Sequence, residues 1–196
     1  MEKDSFTIDR LKLDETKGHF ILGIDGLSRS GKTTFVRKLA SDFETADKNV
    51  HIFHLDDYIV NRNRRYHTDQ EEWKEYYYLQ WDTVQLRASF FQQVHKANAL
   101  TLAVYDSEAD CHVEEMVDLN ETEVIVVEGV FLQREEWRSF FDWIIYLDCP
   151  REERWKREKE ETRANLVKFQ TRYWKAEDFY LETVEPDKKA DCVIRT

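Results

Sequence analysis

The sequence predicts an α/β fold, a mostly parallel sheet flanked by helices, on three observations. Short apolar runs alternate with stretches of helical spacing. The runs are apolar at consecutive positions, as strands buried on both faces are. Asp25, Asp56 and Glu128 close three of them, and in such sheets ligands sit beyond the carboxyl ends of the strands.

The elements follow in order. Residues 5–17 read as a short amphipathic helix, and 19–25 as a buried strand. GLSRSGKT comes next, and Phe35, Val36, Leu39 and Phe43 then recur at helical spacing. A second strand over 50–55 ends in Asp56-Asp57. A polar, basic loop over 61–67 leads into Tyr- and Trp-rich helices reaching about residue 97. Residues 99–105 form a third strand, with 113–119 as its hairpin partner. Residues 123–128 are the clearest core strand, followed by Gly129, and 141–147 make another. The stretch from 151 to about 168 reads as one long charged helix. A helix over 173–182 and a short strand over 190–194 complete the chain.

The bulk composition fits one domain. The chain has 196 residues, 41% apolar and 35% charged, which suits a single core with a wet surface. Its net charge of −11 argues against a nucleic-acid partner, because an acidic surface gains nothing from counterion release. Cys111, Cys149 and Cys192 are odd in number and lack a C-x-x-C pair, so neither a disulfide framework nor a structural zinc site is expected. They read as buried thiols in a reducing cytosol. The charged first residues lack the apolar region of a signal peptide, and no apolar run approaches the ~20 residues that span a bilayer. A cytoplasmic protein without a membrane partner is the expectation.

The chemistry begins at Gly26-Leu27-Ser28-Arg29-Ser30-Gly31-Lys32-Thr33, which matches G-x-x-x-x-G-K-[ST] without a gap. Glycines let such a loop wrap tightly, so successive N–H groups point at phosphate oxygens. The following helix adds its positive end. Lys32 reaches the terminal phosphates and the Thr33 hydroxyl reaches magnesium. The motif leaves a strand and opens a helix, the context it requires. Thr34 continues the cradle into the helix.

Carboxylates and arginines complete the set. One of Asp56 and Asp57 can face the cradle as a base, since adjacent residues leaving a strand point to opposite sides. Glu128 ends an apolar strand, where a charge is costly unless paired or on metal, so it reads as a magnesium ligand or a structural ion-pair partner. Arg151, Arg154 and Arg157 share one broad helical face, with Arg163 beyond. They could close over a γ-phosphate or pair with the neighbouring glutamates. Tyr66, Trp73, Tyr76, Tyr77, Tyr78 and Trp81 either build core or sandwich a planar base. Of the histidines, His112 lies nearest the hairpin turn.

These residues resemble the uridine kinase branch of the P-loop kinases, which includes nicotinamide riboside kinases, pantothenate kinases and phosphoribulokinases. The resemblance runs from about residue 19 to 194. It rests on GIDGLSRSGKTT, HLDDY, VYD at 104–106, VIVVEGVFL, FDWIIYLDCPREERWKRE and PDKKADCVI. It implies a P-loop NTPase fold like that of the nucleoside-monophosphate kinases. One domain spans 1–196, with a core over about 19–150 and 186–196, a helical lid over about 151–185 and an acceptor-site insertion over about 57–98. It implies ATP or GTP as donor, Mg2+, and a hydroxyl acceptor, a nucleoside such as uridine or cytidine. Asp56 falls on the general base, Glu128 on the magnesium-holding glutamate and Arg157 on the lid arginine, with Arg154 in support. Asp57, Tyr58, Trp81, Asp82, Tyr105 and Asp106 fall on the acceptor side. Three segments depart from the branch. Leu79-Gln80-Trp81-Asp82 replaces its usual Phe-Asp-His-Pro, the histidine expected just after the YD segment is not there, and no E-R-G-R turn occurs. Nicotinamide riboside, pantothenate or a sugar phosphate are therefore alternative acceptors, and a non-catalytic nucleotide-gated binding protein is an alternative class. The branch leaves a homo-oligomer open.

Overall fold

The computed structural model describes residues 6–13 and 18–196. The helix expected over 5–17 falls partly outside them, and its described part contributes one 3-10 turn, Ile8–Arg10. The chain then runs β1 (Phe20–Gly26), α1 (Lys32–Thr45) and β2 (Val50–His54), followed by a 3-10 turn at Leu55–Tyr58. Next come α2 (Arg62–Arg65), α3 (Glu72–Tyr78) and α4 (Thr83–Leu86), which runs into a π turn at Arg87–Phe91. A hairpin of β3 (Ala99–Asp106) and β4 (Cys111–Asp118) leads to β5 (Val124–Gly129) and β6 (Trp143–Asp148). Then follow α5 (Arg151–Lys156), α6 (Glu160–Arg163), α7 (Leu166–Lys168) and a second π turn, Phe169–Tyr173. The last elements are α8 (Trp174–Val184), α9 (Pro186–Lys189) and β7 (Cys192–Arg195).

Five strands form one parallel sheet in the order β2-β5-β1-β6-β7. The sequence pattern explains why it is sandwiched. β1 and β5 are buried at every position, so both faces carry apolar side chains. Alternation then sorts them. Ile21, Ile125 and Val127 join one cluster with Phe90, Phe91, Trp137 and Tyr180. Leu22, Ile24, Val124 and Val126 join the other, with Val36, Leu39 and Phe43 of α1. Each such side chain contributes roughly 1.5–3 kcal/mol through burial. The β3–β4 hairpin is a separate antiparallel sheet, in which the first half of β3 alternates between buried and exposed positions and β4 is exposed along nearly its whole length.

The long helix expected over 151–168 is instead three short pieces. Helices in proteins draw most of their stability from packing an apolar face. Here Phe169 is buried, while Leu166 and Val167 are exposed and charged residues fill most of the rest. The chain breaks after Lys156, where Arg157 and Glu158 reach toward the 26–33 loop rather than continue the helix. The expectation of three buried thiols is corrected at one position: Cys149 and Cys192 are buried and Cys111 is exposed, all three unbridged. No helix among the described residues is long and apolar enough to cross a membrane.

Candidate functional site

Parallel register brings the site together. β2 and β5 pair so that His54 lies beside Glu128, and β5 and β1 so that Gly129 lies beside Asp25. All these carboxyl ends open toward the loop between β1 and α1. Gly26 is required there, because a Cβ would meet Ser30 Oγ at 2.6 Å and the Leu147 carbonyl at 2.9 Å. Gly129 is required for another reason: a Cβ would press Leu55 at 2.7 Å and displace the turn that carries Asp56.

The loop is braced from below. Asp25 is fully buried and accepts from Gly26 N at 2.8 Å, Gln133 Nε2 at 3.0 Å and the Tyr180 hydroxyl at 2.6 Å. Burial raises its pKa, and these donors oppose the rise. Ser28 is held at both backbone groups. Its carbonyl accepts from Arg154 Nη1 at 3.1 Å, and its N–H donates to Glu177 Oε1 at 3.2 Å. Arg154 and Glu177 pair at 2.9 Å and are both buried.

Lys32 Nζ donates to the carbonyls of Gly26 (2.9 Å) and Leu27 (3.1 Å). Burial lowers its pKa, opposed most by Asp56 and then by Asp25, Glu128 and Glu177. The Thr33 hydroxyl donates to Glu128 Oε1 at 3.1 Å, and His54 Nδ1 lies 3.0 Å from the same oxygen. Glu128 Oε2 is buried without a protein partner. An unpartnered buried carboxylate oxygen beside a threonine hydroxyl fits a magnesium ion, which takes one or two protein oxygens and completes its shell with water and phosphate. Among the described residues no group of three or more His, Cys, Asp or Glu could by itself hold a metal ion.

One cavity of about 600 Å3 gathers Arg29, Lys32, Thr33, Asp56, Glu128 and Arg157, with Tyr76 and Tyr173 on its far wall. Asp56 is open to this cavity, yet its protein surroundings desolvate it enough to raise its pKa. Lys32 opposes that rise, and Glu128 and Asp57 add to it. Arg157 reaches over the loop, its Nη1 donating to the Arg29 carbonyl at 3.0 Å, while Arg29 pairs with Glu158 at 3.0 Å.

A second cavity of about 330 Å3 lies between the β3–β4 hairpin and the helices after β2. Tyr58, Asp82, Arg64 and His112 are on its wall. Asp82 caps α4 and pairs with Arg64 at 2.9 Å.

Four residues expected at the ligand are used elsewhere. Trp81 is buried and donates Nε1 to the Leu55 carbonyl at 2.9 Å, so it holds the Asp56 turn from behind. Arg154 is committed to Cys149, Ser28 and Glu177 and supports the loop from outside the cavity. Tyr105 donates to Asp110 at 2.8 Å, within the hairpin. Asp106 accepts from the N–H groups of Glu108 and Ala109 and so caps the hairpin turn. Conversely, the sequence reading missed Glu177, His54 and Tyr173. No local pattern marks them, because each gains its role from a partner far along the chain.

Comparison with known proteins places the chain among P-loop proteins. The AAA domain family matches residues 22–175. A uridine kinase of Clostridium novyi (strain NT) is 26% identical over 129 residues, covering 65% of this chain and 61% of that protein. The chain thus spans less than two thirds of that relative. A uridine kinase of Ureaplasma urealyticum serovar 10 is 22% identical over 184 residues, covering 88% of this chain and 86% of that protein. The solved structure of a possible uridine kinase from Bacillus stearothermophilus is 48% identical. It superposes with a TM-score of 0.82 over 95% of this chain and 97% of that one.

Proposed function

The chain belongs to the AAA domain family and to the uridine kinase-like P-loop kinases, and from that premise we propose that it transfers the γ-phosphoryl group of ATP to the hydroxyl of a small molecule, a nucleoside such as uridine or cytidine. The observation that supports this reading most is the convergence of Asp56, Lys32, Thr33, Glu128 and Arg157 on one cavity.

The chemistry follows from those groups. The N–H groups of residues 26–33 hold the donor's phosphates, and Lys32 exchanges its loop carbonyls for phosphate oxygens. Thr33 and Glu128 would hold magnesium, which when bound neutralises charge on the β- and γ-phosphates. Asp56 takes the hydroxyl proton. The acceptor oxygen bonds to the γ-phosphorus as its bond to the β–γ bridging oxygen breaks, and ADP leaves. Arg157 and Lys32 stabilise the charge that spreads over the transferring group. Residues 151–185 act as a lid that excludes water, and 57–98 form the acceptor side.

A second reading keeps the reaction and changes the acceptor to nicotinamide riboside, pantothenate or a sugar phosphate. It is favoured by Trp81, Tyr105 and Asp106 being turned to structural contacts. Acceptor-dependent ADP release, measured separately with uridine, cytidine, nicotinamide riboside, pantothenate and ribulose 5-phosphate, decides between them by kcat/KM. Release with uridine or cytidine alone supports the nucleoside. Silence with every acceptor, despite nucleotide binding, would sink the kinase reading.

A further inference from the structure

Behind the far wall of the cavity lies a buried ion pair that the proposed chemistry does not use. Arg172, in the π turn that follows α7, is 1% exposed. Its Nη1 donates to Glu75 Oε2 at 2.7 Å and to the Glu72 carbonyl at 3.2 Å, and its Nη2 to the Arg65 carbonyl at 2.9 Å. Its guanidinium lies 4.2 Å from the ring centroid of Tyr66 and 5.7 Å from that of Tyr76. The other oxygen of Glu75 accepts the Thr68 N–H at 2.7 Å and the Thr68 hydroxyl at 2.9 Å. One guanidinium therefore gathers α2, the loop after it and α3, all from the acceptor side, onto a turn of the charged segment.

The contacts continue outward. Arg65 donates to the Val60 carbonyl at 2.8 Å and to the Tyr105 hydroxyl at 3.2 Å, and Tyr105 donates to Asp110 at the hairpin tip. They also reach inward. Tyr76 follows Glu75 and Tyr173 follows Arg172 in the chain. Those two rings stand 5.0 Å apart, edge to face, and both line the cavity that the 26–33 loop lines. The Thr171 hydroxyl adds a contact to the Glu72 carboxylate.

A buried ion pair is an expensive way to hold two elements together, since apolar side chains of similar size often do as well or better. Turns of π helix also recur at functional sites. We propose that Arg172 is a positioning residue. Through Glu75 it locks the charged segment to the acceptor-side helices, so that the Tyr76–Tyr173 wall closes over the acceptor as one unit. The proposal rests on the kinase reading of the cavity.

The test separates positioning from simple stapling. Arg172→Met alone strands the Glu75 carboxylate and should lower thermal stability. Arg172→Met combined with Glu75→Gln removes both charges and keeps an acceptor for Thr68. The double variant should melt above the single variant, still short of the wild type because the Arg65 and Glu72 carbonyls lose their donor, and it should bind nucleotide within about threefold of the wild type. Its kcat/KM for the acceptor should still fall by about 30-fold or more, since a small misplacement of reacting groups costs on the order of 100-fold. Recovery of kcat/KM in the double variant would overturn the proposal and leave a staple. Amide hydrogen exchange with a non-hydrolysable ATP analogue gives a readout independent of any acceptor. In the wild type, residues 62–78 and 160–174 should gain protection together, and in the double variant 160–174 alone should. Protection of 160–174 without 62–78 in the wild type would equally overturn it. If no acceptor supports turnover, the kinase reading fails and the exchange result still decides the coupling.

Discussion

Asp56 sits where two neighbouring carboxylates, Asp57 and Glu128, oppose one lysine, and desolvation by the surrounding protein together with those like charges raises its pKa. A general base with a raised pKa works closer to neutrality, which suits proton removal from a hydroxyl. Asp56→Asn should lower kcat by about 100-fold or more, within the range of general-base effects, and leave nucleotide affinity nearly unchanged. It should also stabilise the fold. The folded protein binds this proton more tightly than the unfolded chain does. Stability therefore falls as pH rises from the ordinary carboxylate pKa through the raised one, and above it the whole cost is present. The substitution removes that cost, so a thermal scan at neutral pH should show a higher Tm, by an amount that solvent screening at this exposed position keeps small. In the wild type, kcat should fall with acidification along a limb lying above the usual carboxylate range. A limb near pH 4 would count against Asp56 as the base. At this scale the sequence was informative where a charge ended an apolar run, as at Asp56 and Glu128. It was uninformative for Arg154 and Arg157. They stand three residues apart, and only the break after Lys156 sends one behind the loop and the other over it.

Elements decide how firmly those residues are held. α8 presents Glu177 to Arg154, and the pair fixes both backbone groups of Ser28. Arg154→Met strands a buried carboxylate and should cost about 3–5 kcal/mol, read by denaturant unfolding. Arg157→Ala removes an exposed side chain, so it should leave stability within about 0.5 kcal/mol while lowering kcat by roughly 100-fold. Equal stability losses in the two variants would mean that their roles are misassigned. The turn that carries Asp56 depends on Trp81 in the same way. Trp81→Phe keeps most of the apolar volume and loses the bond to the Leu55 carbonyl. It should cost about 1–3 kcal/mol, because it leaves a buried acceptor unpaired. The hairpin and core strands could be read from periodicity, which reports directly on burial. The fragmentation of residues 151–173 could not, because charged residues favour a helix and a broken solvated segment alike.

Across the whole molecule, the sheet order brings the loop, the Asp56 turn and Glu128 to one edge, while the helices between β2 and β3 and those after β6 build the opposing wall. The net charge of −11 concentrates the need for cations at this cavity, where Lys32, Arg29 and Arg157 provide them. Motifs of fixed spacing pointed in advance to the 26–33 loop, Asp56 and Glu128, which the fold brings to one cavity. The side proposed to take the acceptor depends on contacts between residues about a hundred positions apart, such as Arg172 with Glu75, and spacing carries no trace of them. The most direct test of the central claim is to identify the product. Wild-type protein, ATP, magnesium and a nucleoside are incubated, and phosphate monoester and ADP are quantified together. The account predicts one ester formed per ADP released, with both lost in Asp56→Asn. ADP accompanied only by inorganic phosphate, at the same rate with and without every acceptor, would contradict it.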